Sequence, residues 1–221
     1  MEEIKQKILA YVKRNRVSST EVADCLGKQG AIADIMQVNR GHFAVGPVHY
    51  IYGHSNSNWS IHEQARYVKP GEVVIVDGID VGDRALFGEL ASKFLILYKE
   101  AVAVVALGKL RDANDLIKCN YPIWCKGFTP IGCFNEQKMQ TSIIRKQVEE
   151  RRKMYDNTIA VCDDTGVVII PQNMFTKRFY SMLELIEKQE DIWFDCIDNK
   201  KWNTYDTVCL RKYDKNKGGV L

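Results

Sequence analysis

The chain has 221 residues, 46% of them hydrophobic and 27% charged, and 31 basic against 28 acidic side chains leave a net charge of +3. That length predicts one large domain, or a domain with an appendage, that buries a core without disulfide or metal staples. The near balance of charge argues against a nucleic-acid-binding surface, 5 Pro and 15 Gly argue against low-complexity disorder, and the longest apolar run, residues 101–107, is far short of the roughly 20 that a membrane helix needs.

Residues 2–14 place Ile4, Ile8, Leu9 and Val12 at helical spacing, with acids ahead of the first apolar residue, which predicts an amphipathic helix and no secretory signal. Ser18 or Ser19 then caps a second helix through Val22, Cys25 and Leu26, stopped by Gly27 or Gly30. Residues 43–52 alternate and predict a strand interrupted at Gly46-Pro47, followed by a polar loop over 53–58 and a short helix over 59–67. Pro70-Gly71 leads into a buried strand, 72–76, that stops at Asp77-Gly78. Leu86, Leu90, Phe94 and Leu97 recur every three or four residues and predict a helix over 85–100, and the apolar run 101–107 is the next strand. Strand, helix, strand in that order implies a right-handed parallel crossover. A short helix over 114–118, a strand over 122–126 and a charged helical stretch over 137–157 follow. Residues 158–162 and 167–170 flank Asp163-Asp164-Thr165-Gly166, a hairpin with positive φ expected at Gly166. A last helix over 173–188 precedes a tail from Glu190 whose end, 215–221, is expected to fray. The whole reads as mixed α/β. The seven cysteines are odd in number, scattered and mostly beside apolar residues, with no C-x2-C or C-x4-C pair, so they read as reduced thiols in a cytoplasmic protein.

Chemistry-bearing residues gather at the carboxyl ends of the predicted strands: Asp77 and Asp80, then Arg111 and Asp112, then Lys126 and Thr129. Ligands of α/β folds bind in that crevice. An Arg followed by an Asp divides its labour there, the guanidinium clamping a carboxylate and the Asp holding a hard divalent cation. The alternative is a strand-end ion pair with Asp112 capping the next helix. Gly88-Glu89-Leu90 is open in the same way. The amides of Leu90 and Ala91 bind an anion if a helix starts there, or Gly88 is a packing contact inside the helix. Dinucleotide-binding, P-loop and nucleophile-elbow signatures are missing. His42, His49, His54 and His62 form no ligand pair. Only His62 sits in a plausible pocket wall, where a structural hydrogen bond is the expected role. Residues 145–153 are a mixed-sign run, expected to be a solvated helix face.

Six blocks in order resemble the RraA-like family, over roughly residues 18–171. They are Val22-Ala23-Asp24-Cys25-Leu26-Gly27-Lys28-Gln29-Gly30, Lys69-Pro70-Gly71-Glu72-Val73-Val74-Ile75-Val76-Asp77-Gly78, and Ala85-Leu86-Phe87-Gly88-Glu89-Leu90. Then come Gly108-Lys109-Leu110-Arg111-Asp112, Tyr121-Pro122-Ile123-Trp124-Cys125-Lys126-Gly127-Phe128-Thr129-Pro130, and Asp163-Asp164-Thr165-Gly166-Val167-Val168-Ile169-Ile170-Pro171. That family includes 4-hydroxy-4-methyl-2-oxoglutarate aldolases, which also decarboxylate oxaloacetate, and the regulator of ribonuclease E activity. The resemblance implies a three-layer β/β/α swivelling fold, with N-terminal helices and a helical C-terminal extension, in trimers or dimers of trimers whose sites lie between subunits. It implies that Asp112 binds Mg2+ or Mn2+, and that Arg111 orients the carboxylate or keto oxygen of a pyruvate-like group. Gly88, Leu90 and Ala91 then meet the substrate carboxylate through backbone, while Glu89 serves the metal's waters.

The sequence departs from that family at three places. Glu89 and Arg111 are separated by twenty-one residues, against twenty in family enzymes; the second Leu of G-E-L-L is either replaced by Ala91 or missing; and residues 172–221 extend the chain. Glu184, Glu187 and Glu190 are equal candidates for the acid that some family enzymes supply from a neighbouring subunit. Residues 1–171 are expected to form the RraA-like domain and 172–221 its helical extension and tail. The function implied is a divalent-metal-dependent lyase that breaks a C–C bond of a 2-keto acid by aldol cleavage or decarboxylation through a metal-stabilised enolate. A non-catalytic regulatory protein on the same scaffold is the alternative. A third reading, a larger sugar-like keto acid, has Trp193, Phe194 and Trp202 either walling its pocket or packing the tail onto the body.

Overall fold

Three short runs of β-branched and small apolar residues, separated by helix-forming segments, are the chemical signature of parallel strands buried on both faces. The computed structural model describes residues 2–214. It opens with α1 (Glu2–Asn15), α2 (Ser19–Cys25), β1 (Met36–Gln37), β2 (Ala44–His54), α3 (Trp59–Ala65), β3 (Val73–Ile79) and α4 (Glu89–Lys93). It continues with β4 (Ala103–Ala106), α5 (Ala113–Cys119), β5 (Ile123–Cys125), α6 (Ser142–Tyr155), β6 (Ile159–Asp163), β7 (Gly166–Ile170) and α7 (Lys177–Asp198). The strands hydrogen-bond in the order β1-β5-β4-β3-β2-β6-β7. Strands β2 to β5 are parallel neighbours, in registers that include Val48↔Val73, Val73↔Ala103 and Val104↔Ile123, with a helix in each connection.

β2 changes partner halfway along. Ala44–Pro47 pairs antiparallel with β6 and Val48–His54 pairs parallel with β3. The interruption expected at Gly46-Pro47 is therefore a change of neighbour within one continuous strand. Pro47 has no N–H to donate at the switch, and a Cβ on Gly46 would come within 2.5 Å of the Gly71 carbonyl oxygen.

Strand alternation then sorts the apolar side chains into three cores. On one face of the parallel strands, Ile51, Val74, Val76 and Val104 meet Ile61 of α3, Leu95 and Leu116 of α5. On the other, Tyr50, Ile75, Val105 and Trp124 meet Ala160, Cys162 and Ile169 of the β6–β7 layer, with Val148 and Tyr155 of α6 closing one end. The outer face of that second layer, Val161, Val168 and Ile170, is covered by Ile8, Val12, Val22, Phe179 and Leu183. This is the β/β/α arrangement expected, with α1, α2 and α7 covering its outside. The tight turn is as expected too, Gly166 standing at φ +149°.

Several element boundaries differ from the sequence reading, each for a physical reason. The helix expected over 85–100 begins only at Glu89 and passes into a π turn, Phe94–Tyr98. Its would-be first turn is taken by sheet-like bonds: Ala85 N donates to the Ile131 carbonyl at 2.8 Å and Leu86 N to the Lys109 carbonyl at 2.9 Å. In consequence the expected buried stripe faces outward, with Leu90 82% and Leu97 53% exposed, while Leu86 and Leu95 are buried. β3 runs past Asp77 to Ile79 because β2 continues to pair with it. The final helix starts at Lys177, capped by the Thr176 hydroxyl, and runs on to Asp198 beyond the expected end at 188. The helical stretch expected over 137–157 is α6, which begins at Ser142 with Thr141 as its cap. Ser18, rather than Ser19, caps α2 through a reciprocal pair with Glu21; Ser19 instead bonds Asp163. The fraying expected over 215–221 lies outside the described residues.

Candidate functional site

Three backbone segments lie side by side beyond the ends of β4 and β5. Arg111 N donates to the Phe87 carbonyl at 3.1 Å, Thr129 N to the Leu110 carbonyl at 2.9 Å, and Cys133 N to the Ala85 carbonyl at 3.0 Å. This short ladder fixes residues 85–88, 108–112 and 129–133 as one surface.

Gly88 and Asp112 meet on it. A Cβ on Gly88 would lie 2.0 Å from Asp112 Oδ2 and 2.8 Å from Arg111 Cγ, so only a hydrogen atom fits. Asp112 occupies the N-cap position of α5, at φ +60°, as the helix-cap alternative has it, but only its backbone carbonyl serves that helix and its side chain makes no capping bond there. Its Oδ2 instead accepts the Glu89 N–H at 3.0 Å, so the carboxylate sits on the first turn of α4. Gly88 is accordingly a point of close approach just outside a helix, and no packing glycine within one. Leu90 and Ala91, in that first turn, have amides without helical acceptors and border the same space.

Arg111 reaches out beside this carboxylate. Its Nε stands 3.7 Å from Asp112 Oδ2, and both side chains are half-exposed, a loose contact rather than a closed ion pair. The guanidinium passes over Gly132, where a Cβ would come within 2.9 Å of Nη1. The pair opens onto a cavity of about 530 Å³ whose far wall is Asn58, Trp59 and His62 at the start of α3.

Two of those wall residues carry information that the sequence did not. Asn58 is buried; its Nδ2 donates to the Leu86 carbonyl at 3.0 Å, but its Oδ1 accepts no hydrogen bond. A buried acceptor left open at a cavity wall has room for a donor from a ligand or water. Asn58 ended a polar loop in the sequence, and nothing there set it apart. The His62 ring makes no hydrogen bond among the described residues, and desolvation lowers its pKa. The structural bonding role expected for His62 is replaced by a place on the cavity wall.

The donor set fits a hard cation that keeps its own water, and no all-protein cage. Among the described residues, no group of three or more His, Cys, Asp or Glu converges. Asp112 keeps Oδ1 free of protein partners and the open Asn58 Oδ1 borders the same cavity, whereas Glu89, expected to serve the metal's waters, is not among the residues that line it. One or two carboxylates plus water and substrate oxygens is how Mg2+ is ordinarily held.

Other residues singled out by sequence lie elsewhere. Asp77 is buried within β3 and, with Lys126, borders a separate cavity. Glu184, Glu187 and Glu190 line a third, acidic cavity of about 500 Å³ together with Tyr11 and Glu21. There Glu187 accepts the Tyr11 hydroxyl, and burial, reinforced by Glu187, pushes the Tyr11 pKa up to about 12. Burial and then Glu21 raise Glu190. Within one chain these acids belong to the outer helical layer and not to the Arg111 cavity. The tail aromatics do not wall that cavity either: Trp193 Nε1 donates to the Tyr213 hydroxyl at 3.0 Å and Phe194 stands beside the acidic cavity.

The family model described as RraA-like, Aldolase/RraA, matches residues 19–169. Protein DlpA of Legionella pneumophila is 23% identical over 171 residues, 71% of this chain but 26% of that protein, so the chain spans about a quarter of its length. Among solved structures, an uncharacterized protein from Pseudomonas syringae pv. tomato superposes with TM-score 0.70 at 18% identity, covering 93% of this chain and 94% of that one. RraAS2 of Streptomyces coelicolor, described as an unusual member of the RNase ES inhibitor RraA family, gives TM-score 0.63 at 18% identity over 84% and 94%. At such identities the likeness is one of fold.

Proposed function

Because the chain belongs to the RraA-like family, which includes both aldolase or decarboxylase members and ribonuclease E regulators, we propose that it is a divalent-metal-dependent lyase cleaving a C–C bond of a 2-keto acid. The single observation that supports this most is the Gly88–Asp112 contact beside an unlocked Arg111. A carboxylate is seated on a backbone amide with one oxygen left over, at the edge of an open cavity.

In this reading Asp112 would hold the cation, Mg2+ or Mn2+, and Glu89 would serve one of its waters. When bound, such a cation would supply positive charge where the keto oxygen gains electrons as the C–C bond breaks, a stabilisation shared by aldol cleavage and decarboxylation. Arg111 binds and orients: its planar fork gives two parallel hydrogen bonds to a substrate carboxylate. Leu90 and Ala91 amides hold the other end of that group, with Gly88 admitting it to the backbone. Asn58 Oδ1 accepts a hydrogen bond from a substrate hydroxyl or a bound water. The site sits in the unit 1–171, and 172–221 is its helical extension and tail.

The assembly and setting belong to the same proposal. RraA-family proteins are often oligomeric. The exposed strip Leu90, Phe94, Leu97 and Tyr98, of which Leu90 lines the cavity, supports a homotrimer or dimer of trimers that covers this face. All seven cysteines are free thiols, which supports a cytoplasmic protein. Among the described residues no helix is long and apolar enough to cross a membrane.

The test is pyruvate release from oxaloacetate, with and without Mg2+ or Mn2+, for wild type and Asp112→Asn, which keeps an acceptor for Glu89 N–H but loses the charge. Metal-dependent turnover abolished in the variant, at unchanged melting temperature, supports the lyase. Absence of turnover with any 2-keto acid tried moves the assignment to a regulatory protein acting through the exposed apolar strip.

A further inference from the structure

The registers Val76↔Ala106 and Ala106↔Cys125 put Asp77, Leu107 and Lys126 in the next row, just past the ends of β4 and β5 and two residues before the end of β3. Alternation turns this row away from the α3–α5 face and toward the inter-layer side of Ile75, Val105 and Trp124. The row borders a cavity of about 550 Å³ closed by Ile32, Arg151 and Ile169, a volume ordinary for small-molecule sites. The lyase reading uses none of these residues.

The charges in this cavity do not cancel. Asp77 is buried and its carboxylate is already occupied: Oδ2 accepts the Tyr50 hydroxyl at 3.0 Å and Oδ1 the Gly78 N–H at 2.8 Å, with Arg151 Nε at 3.5 Å. The rest of the Arg151 fork is half-exposed. Lys126 is exposed and pairs with no acid among the described residues. Two cations thus face one internally satisfied carboxylate at one end, and apolar walls make up the remainder. A cation meets repulsion from Lys126 there. A wholly polar anion leaves Leu107, Ile169 and Met174 wet.

We propose that this cavity is a second ligand site, across the sheet from Arg111, for a small organic anion with one acidic head and an apolar body. The head meets Lys126 and the outer edge of Arg151, and the body displaces water from Ile32, Leu107, Ile169 and Met174.

The experiment uses the full chain with 8-anilinonaphthalene-1-sulfonate, followed by fluorescence, beside N-phenyl-1-naphthylamine, the same aromatic body without its sulfonate. The expected result is saturable sulfonate binding at one site per chain, with the neutral analogue about tenfold weaker, the order of one desolvated charge contact. Lys126→Met lowers that discrimination several-fold, leaving only what the outer edge of Arg151 supplies. Ala33→Trp, at an exposed position on the cavity wall, blocks both probes without touching the core, and Arg111→Ala changes neither. The proposal is overturned by absence of saturable binding, by sulfonate preference undiminished in Lys126→Met, by binding that persists in Ala33→Trp, or by loss in Arg111→Ala. None of these outcomes bears on oxaloacetate turnover, so this site and the lyase reading stand or fall separately.

Discussion

The two faces of the parallel sheet treat an aspartate beside an arginine in opposite ways. On the inter-layer face, Asp77 is 5% exposed and both its oxygens are taken by a hydroxyl, an amide and a guanidinium. On the helical face, the Asp112 side chain is 40% exposed, one oxygen rests on an amide and its arginine stands off at 3.7 Å. Residue type is the same; burial and the number of claimed lone pairs differ. A carboxylate whose acceptor sites are filled internally stabilises a fold, whereas one with an oxygen to spare binds what arrives from solvent.

The sharpest way to break this contrast is Gly88→Ala. The new methyl collides with Asp112 Oδ2, and displacing a reacting group by about 1 Å costs on the order of a hundredfold in turnover; steady-state kinetics reads it, and wild-type turnover in the variant removes Asp112 from the mechanism. Next comes stability. Asp77→Ala orphans the buried Tyr50 hydroxyl and is expected to cost about 1–3 kcal/mol in urea unfolding, while Asp112→Asn, which tolerates the left-handed φ and keeps an acceptor for the Glu89 N–H, changes stability by under about 0.5 kcal/mol. Equal losses in both variants erase the distinction. Arg111→Lys replaces a planar fork by a point charge, so KM for the 2-keto acid should rise about tenfold with folding intact. If that variant unfolds instead, Arg111 is a structural strand-end contact.

The smallest effect concerns pH. His54 is buried in β2, and desolvation holds its pKa below the ordinary 6.5. The unfolded chain therefore binds a proton there before the folded one does, so stability is full above pH 6.5 and is lost as the pH falls through the lowered value. A calorimetric melting temperature should drop by a few degrees on acidification from about pH 7.5 to 5.5, less so in His54→Gln.

Much of this architecture is written in local pattern. Residues 73–76 and 103–106 are continuous β-branched and small apolar runs, and Leu116 and Ile123 fall on the matching faces of the next helix and strand, so the parallel unit is legible without coordinates. Arg111-Asp112 is legible as a candidate site because polar residues at strand ends rarely serve a core, although the same two residues also suit a strand-end ion pair and a helix cap. What escaped depends on distant backbone. The two residues of β1 are a strand only through Cys125 and Trp124. Ala85-Leu86-Phe87 continues a helical period, yet the carbonyls of Lys109 and Ile131 claim its amides. The left-handed turn at Asp112, which aims its carboxylate at the Glu89 N–H and away from α5, carries no sequence mark, and neither does the vacant acceptor of Asn58.

β2 has a consequence for how the molecule comes apart. Its first stretch is held by β6 and its second by β3, so a single covalent strand is stitched into both layers. Peeling the hairpin away strips the pairing from Ala44–Pro47 and uncovers Ile75 and Trp124 at once. The two layers have no seam along which to separate, and thermal or mechanical unfolding of the sheet should proceed as one event.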